Sequence, residues 1–426
     1  MEPLTILLII AVVGGLYMAW NIGANDVANA FGTSVGSGAI TVGKAVLLAA
    51  VFEFSGAFLV GAPVAETVSG SIVSLETFSS RPDCPWMKPE VLAIGMIAAM
   101  IAASLWLNIA TFFGQPVSTT HAIIGGVIGF AVAACGPWCI HWGEMGRIAA
   151  SWVVSPLFGA VLAYVIYRWG VRRYVLESRH PVFMTMVFVP FAMAALAAIV
   201  TFSAVYRGLP GLKLNMEITL AAPISLGVGL AVFVVIRLTL RKKMWEHRVR
   251  LKERYAAVER WFGYMQVATA SYMSFAHGAN DCANAIGPLA AAMQIIGNPS
   301  VTPEKIVIPA WLLAFGGAGI VLGLATYGYK VMKTIGKNIT EMTPTRGFSA
   351  EFGTATTVLV FSKLGMPIST TFVIVGAVMG VGLARGFAAL DLGVIRRIFT
   401  SWVVTIPVSA VLAAVLYWVL MYVVSG

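Results

Sequence analysis

The octapeptide Gly23-Ala24-Asn25-Asp26-Val27-Ala28-Asn29-Ala30 returns 255 residues later as Gly278-Ala279-Asn280-Asp281-Cys282-Ala283-Asn284-Ala285. Each copy sets an aspartate in apolar surroundings, where a charge is costly to hold, so a matched pair points to function. A second pair follows in the same order. Gly114-Gln115-Pro116-Val117-Ser118-Thr119-Thr120 reappears 251 residues on as Gly365-Met366-Pro367-Ile368-Ser369-Thr370-Thr371. A third pair, Ser151-Trp152-Val153-Val154 and Ser401-Trp402-Val403-Val404, is 250 apart. Three ordered matches at nearly one spacing imply a duplicated unit of roughly 150 residues around a unique middle. The divisions are a first repeat at 1–168, middle spans with a basic loop at 169–260, and a second repeat at 261–426.

Hydrophobic residues make up 59% of the chain and charged ones 11%, with a mean hydropathy of +0.87. Such a composition excludes a soluble domain and implies a polytopic membrane protein. Runs such as Leu4–Trp20, Lys44–Val60, Ile148–Tyr167, Val182–Tyr206, Glu217–Ile236, Ile308–Tyr327 and Ile395–Val424 are long enough to cross the hydrocarbon as helices. Barrel-type alternation is absent, so the expected fold is all-α, with about 12 membrane segments. The first run lacks a basic flank and a small-residue cleavage site and reads as a retained span.

The net charge of +10 has a topological meaning. Arg237, Arg241, Lys242, Lys243, Arg248, Arg250, Lys252, Arg254 and Arg260 cluster in one loop, and Arg168, Arg172, Arg173 and Arg179 in another. The positive-inside rule makes both loops cytoplasmic, the first as a solvated amphipathic stretch at the membrane surface. No nucleic-acid motif accompanies them. Counting spans from these anchors puts both termini outside and an odd number of crossings between the two Asn-Asp motifs. The repeats are therefore expected to be inverted, the arrangement of secondary transporters that alternate access around a midplane site. Glycine-rich stretches and the Gly-x-Pro elements are expected to break helices at the motifs, with 91–134 and 348–384 as broken hairpins meeting at their turns. Cys282 reads as a small buried residue. Cys84, Cys135 and Cys139 share the outer side, and the sequence does not choose a pairing among them.

The chemistry of the motifs is all oxygen. Asp26 and Asn29 are three residues apart, as are Asp281 and Asn284, so each carboxylate shares a helical face with a carboxamide. With Asn25 and Asn280 beside them and carbonyls freed by the local glycines, this set suits a small hard cation and not a transition metal. The Pro-x-Ser-Thr-Thr elements read as helix starts with proline in the first turn. Ser118, Thr119 and Thr120 would face Ser369, Thr370 and Thr371 and form an anion site from hydroxyls, unpaired N–H groups and dipole ends, with Gln115 adding a donor on one side. Glu53 and Glu351 are further carboxylates in apolar stretches, suited to binding a coupling cation, carrying a proton or simply pairing with a hydroxyl. Lys363, two residues before Gly365, could neutralise an anion, but reads first as snorkelling to the interface. His121 and His277 read as hydrogen-bonded packing. Neither a catalytic triad nor a metal cluster motif is apparent, which argues against an enzyme; an anion channel is the alternative of another class.

The two Gly-Ala-Asn-Asp-x-Ala-Asn-Ala copies, with Gln-Pro-Val-Ser-Thr-Thr-His at 115–121 and Met-Pro-Ile-Ser-Thr-Thr at 366–371, resemble the inorganic phosphate transporter (PiT) family. The resemblance implies an inverted-repeat symporter of the cell membrane, commonly a homodimer, that carries orthophosphate with sodium, with protons, or as a metal–phosphate complex. It points to Asp26, Asn29, Asp281, Asn284 and the two Ser-Thr-Thr groups as the phosphate and cation region. The Glu53 and Glu351 stretches also look like the family. Phe372, where the first repeat has His121, departs from it. The run at 31–38 and the short central loop look closest to sodium-coupled members, so sodium is the expected coupling ion and no cofactor is expected. Proton coupling and a sulfate-carrying branch stand as alternatives, since a helix-terminus site without arginine does not by itself separate tetrahedral oxyanions.

Overall fold

Long apolar segments in a bilayer find no water for their N–H and C=O groups, and closing into helices satisfies those groups internally. The computed structural model describes residues 3–70, 72–73, 89–113, 115, 117–206, 216–244, 253–298, 306–328, 342–386 and 392–425. Cys84, Gly114, Pro116, the basic residues at 245–252, and Lys330, Lys333 and Lys337 lie outside them. Among the described residues there are thirteen α-helices. The first half contains α1 (Pro3–Gly36), α2 (Val42–Val60), α3 (Ala62–Gly70), α4 (Pro89–Phe112), α5 (Thr119–Cys135) and α6 (Trp142–Val165). A central hairpin follows, α7 (Pro181–Val205) and α8 (Ile218–Met244). The second half contains α9 (Arg254–Gly297), α10 (Ala310–Gly323), α11 (Pro344–Lys363), α12 (Thr370–Arg385) and α13 (Leu392–Ser425). Among the described residues, eight helices are long and apolar enough to cross a membrane.

The exterior is apolar. Leu226 is 69% exposed, Val403 72% and Tyr422 81%. In water such a belt would drive aggregation; in a bilayer it is the lipid contact. The polar residues are inside: Asp26, Glu53, Asp281 and Glu351 are each 1% exposed or less.

The helices do not break at the Asn-Asp motifs, contrary to the sequence expectation. α1 and α9 run through both copies without interruption. Their glycines release no carbonyls and instead let helices touch. A Cβ on Gly23 would strike the carbonyl oxygen of Ile320 on α10, and one on Gly278 would strike that of Glu53 on α2. Gly125 and Gly129 of α5 lie against the backbone of Ile406 and Ala410 on α13, while Gly376 and Gly380 of α12 lie against Pro156 and Ala160 on α6. This is a small-xxx-small crossing made twice, each half lending the helix that covers the other half's glycines. Breaks do occur in the glycine-rich stretch 32–38, where α1 ends at Gly36 and Gly38 has φ +76, and at the second motif pair. Gly365, with φ +68, turns α11 into α12, a conformation that excludes most side chains. The hairpin tips meet, since Thr120 Oγ1 donates to Ile368 O at 2.9 Å. Of the cysteines, Cys135 and Cys139 form a disulfide and Cys282 is buried and free.

Candidate functional site

Ser118 and Ser369 are the N-caps of α5 and α12, their hydroxyls accepting from His121 N and Phe372 N, both at 3.2 Å. Proline therefore precedes each cap and is not in the first helical turn, because the cap needs extended backbone there. This leaves early N–H groups of both helices without intrahelical acceptors at two converging positive dipole ends.

Both ends converge on one carboxylate. Thr119 Oγ1 donates to Asp281 Oδ2 at 2.9 Å, and Thr370 Oγ1 donates to the same oxygen at 3.3 Å. The asparagines exchange partners between halves. Asn29 Nδ2 donates to Thr371 Oγ1 at 2.9 Å and to Asp26 Oδ1 at 3.3 Å, while Asn284 Nδ2 lies 3.3 Å from Thr120 Oγ1 and from Thr119 Oγ1. Asn25 Nδ2 donates to Thr111 Oγ1 at 2.6 Å. Asn280 sits 3.0 Å from Ser362 Oγ. Its neighbours orient that amide with the oxygen accepting from Ser362 and the nitrogen donating to Ile368 O and Asp281 Oδ1, each at 3.0 Å. Thr111 and Ser362 are 251 residues apart, the spacing of the Ser-Thr-Thr pair, and that match was the signal for two site residues that the motif reading missed.

His277 is central and not the bland packing residue expected. Its Nδ1 donates to Glu53 Oε2 at 2.7 Å, and its Nε2 faces Asp281 Oδ2 at 3.3 Å and Asp26 Oδ2 at 3.8 Å, all fully buried. Asp26 Oδ2, Glu53 Oε1 and Asn284 Oδ1 are buried acceptors with no hydrogen bond. Orphaned oxygens of this kind are costly in a dry interior, and a cation among them would relieve the cost. Asp26, His277 and Asp281 each bring one ligand atom to within 4.8 Å of the others.

Glu351 stands in a separate polar nest. Its Oε1 accepts from Thr33 and Ser34, the latter at 2.7 Å, and from Gln266 Nε2 at 3.1 Å; its Oε2 accepts from Thr269 Oγ1 at 2.7 Å. The matching positions of the other half are apolar. Met100 stands for Glu351, Ala11 for Gln266, Gly14 for Thr269, and Pro288 and Leu289 for Thr33 and Ser34. The contact survives the change of chemistry, since a Cβ on Gly14 would touch Met100 at 3.2 Å. Thr33 and Ser34 lie in the 31–38 run that resembles sodium-coupled members, whereas Thr269 carried no motif, and only its burial beside a carboxylate reveals it.

Gln115 is not drawn into this cluster: it is exposed, and its N–H donates to Ala110 O at 2.9 Å. His121 packs its ring 3.9 Å from Trp152 and 4.3 Å from Phe372, but neither of its buried ring nitrogens makes the hydrogen bond expected of it. Phe372 in turn stacks on Trp402 at 3.4 Å, so each tryptophan of the third sequence pair covers the residue after a Ser-Thr-Thr group.

Comparison with known proteins agrees with this geometry. A family model described as the phosphate transporter family matches residues 22–413. The chain is 43% identical over 97% of its length to a Pyrococcus abyssi protein named a phosphate permease, of which it covers 98%. It is 42% identical over 95% of its length to inorganic phosphate transporter 2-1, chloroplastic, of Arabidopsis thaliana, of which it covers 70%. A solved structure titled the sodium-dependent phosphate transporter superposes with a TM-score of 0.90 at 40% identity, covering 98% of this chain and 99% of that one. With the duplicated Asn-Asp and Ser-Thr-Thr elements converging in one buried site, the chain belongs to the phosphate transporter family, a family of membrane transporters and not of enzymes.

Proposed function

We propose that this protein imports inorganic phosphate together with sodium by alternating access. The observation that carries the reading is the meeting of two opposed helix N-termini at Asp281, beside buried oxygens of Asp26, Glu53 and Asn284 that lack donors. An oxyanion suits the N–H and hydroxyl groups of Ser118, Thr119, Thr120, Ser369, Thr370 and Thr371. The same anion is repelled by the carboxylates in a medium of low dielectric, so it enters only with cations that neutralise them. Asp26, Asn29, Asn25, Asp281, Asn284, Asn280 and Glu53 supply oxygens for those cations, and Glu351 holds a further cation or proton in its own nest. That repulsion makes the coupling obligatory.

Segments 1–168 and 261–426 are two repeats of inverted topology around 169–260, in the cell membrane, with both termini outside and a homodimer as the assembly. The reciprocal crossings of Gly125 on α13 and Gly376 on α6 support a twofold relation between halves. Single cysteines placed at 80 and 212 in a cysteine-free background should react with an impermeant thiol reagent from outside, and those at 250 and 340 should not; the reverse pattern would overturn the orientation. A second reading, a proton-coupled or metal–phosphate symporter, draws on the Asp26, His277 and Asp281 grouping.

Uptake of labelled phosphate into proteoliposomes separates these readings. A sodium gradient should drive accumulation that unlabelled phosphate blocks and sulfate does not. Accumulation under a proton gradient without sodium, or only with divalent metal, selects the second reading. Selective current without accumulation makes the protein a channel.

A further inference from the structure

The α7–α8 hairpin has no counterpart in either half, and a cavity of about 570 Å³ opens between the end of α7, the start of α8 and α11. Its size falls within the roughly 300–1,000 Å³ of cavities that hold small molecules. Ile199 and Phe202 of α7, Leu226 of α8, and Leu359 and Val360 of α11 line it. Ser225, also in the wall, turns its hydroxyl back to Ala221 O at 2.7 Å. An apolar void of this kind does not hold water. Leu226 and Val360 are exposed, so the void lies open to the lipid side.

One cation stands at its edge. Lys363, at the last turn of α11, is half-buried and donates to Tyr206 O at 3.2 Å, and among the described residues no carboxylate pairs with it. An acyl chain satisfies the apolar wall, and the ammonium asks for an anion at the end of that chain. We infer that the groove binds an acidic glycerophospholipid, with an acyl chain between α7, α8 and α11 and the headgroup phosphate on Lys363.

The site has a bearing on transport that rests on the proposed function. Lys363 lies two residues before the Gly365 turn, whose carbonyl accepts from Thr67 Oγ1 at 2.7 Å, and that turn carries Ser369 and Thr370. A lipid seated on Lys363 therefore steadies the arm that presents one half of the anion site, so acidic lipid raises uptake.

The binding claim is tested without transport. Native mass spectrometry of the purified protein, titrated with phosphatidylglycerol or phosphatidylcholine, reads lipid affinity and oligomeric state together. Wild type should prefer phosphatidylglycerol, and Lys363→Gln should lose roughly fivefold in its affinity, the weight of one lysine against an acidic headgroup. Lys363→Arg should keep it, Lys44→Gln should match wild type, and Ala222→Trp, which fills the groove, should lose the tightest-bound lipid of either kind. Unchanged phosphatidylglycerol affinity in Lys363→Gln overturns the proposal, as does an Ala222→Trp variant that retains its lipid or turns a dimer into a monomer, which would assign the groove to a second copy. If Lys363→Gln binds lipid normally but transports poorly, the lysine acts on transport directly and the lipid site is wrong, whatever the substrate.

Discussion

The Glu53–His277 pair has an apolar twin within the same chain. Gly23 against the carbonyl of Ile320 repeats Gly278 against that of Glu53, so Ile320 occupies the place of Glu53 and Ile22 that of His277. Both members of the polar pair are fully buried, and the bond between them is 2.7 Å long. Glu53→Ile leaves His277 Nδ1 without its acceptor, and His277→Ile leaves a fully buried carboxylate without its donor. Each single change should cost about 3–5 kcal/mol, as for other buried pairs broken on one side. Changing both together restores the arrangement that the other half already uses. Asp281 still has Thr119 and Thr370 as donors, so the double variant should fall within about 2 kcal/mol of wild type. Denaturant unfolding of purified protein in mixed micelles, followed by tryptophan fluorescence, measures all four corners of the cycle. The double variant should fold yet fail in uptake, because the cation region has lost two groups. Losses that simply add, leaving the double variant far less stable than either single one, would refute the reasoning.

Asp26→Asn and Asp281→Asn should each abolish sodium-driven uptake while leaving the elution profile of folded protein, since the carboxamide keeps the shape and loses the charge. Ser118→Ala, Thr119→Val, Ser369→Ala and Thr370→Val should each weaken phosphate binding by about 1–3 kcal/mol in equilibrium dialysis; unchanged affinity in all four moves the anion elsewhere. Gly278→Val should prevent α9 from approaching α2 and abolish folded protein, whereas Gly227→Ala, with open space around it, should be silent by thermal unfolding.

Much of this arrangement is legible in the chain because duplication writes it twice. The matched spacing located the Asn-Asp and Ser-Thr-Thr elements, and the structure brings them to one place. Their neighbours were harder to see. Glu53 and His277 are 224 residues apart, and only the packing of α2 on α9 makes them partners. Gln266 and Thr269 are ordinary residues until Glu351 needs donors, and the 31–38 run gave no sign that its Thr33 and Ser34 would meet Glu351. The break expected in the Gly32–Gly38 stretch is there, where α1 ends at Gly36, but the glycines inside the Asn-Asp motifs do not break their helices, because a glycine in an apolar run has two uses, a turn or a close approach. Sequence spacing does not separate these uses. Positive φ marks the first at Gly365, and a facing carbonyl marks the second at Gly278.

The central claim is that carboxylates admit the anion only when cations neutralise them, and linkage tests it most directly. Phosphate binding to the purified protein should tighten by about 5–150-fold as sodium rises from trace to saturating, and labelled sodium binding should tighten by the same factor with phosphate. Asp26→Asn should shrink both effects equally. A phosphate affinity that does not change with sodium in the wild-type protein would contradict the claim.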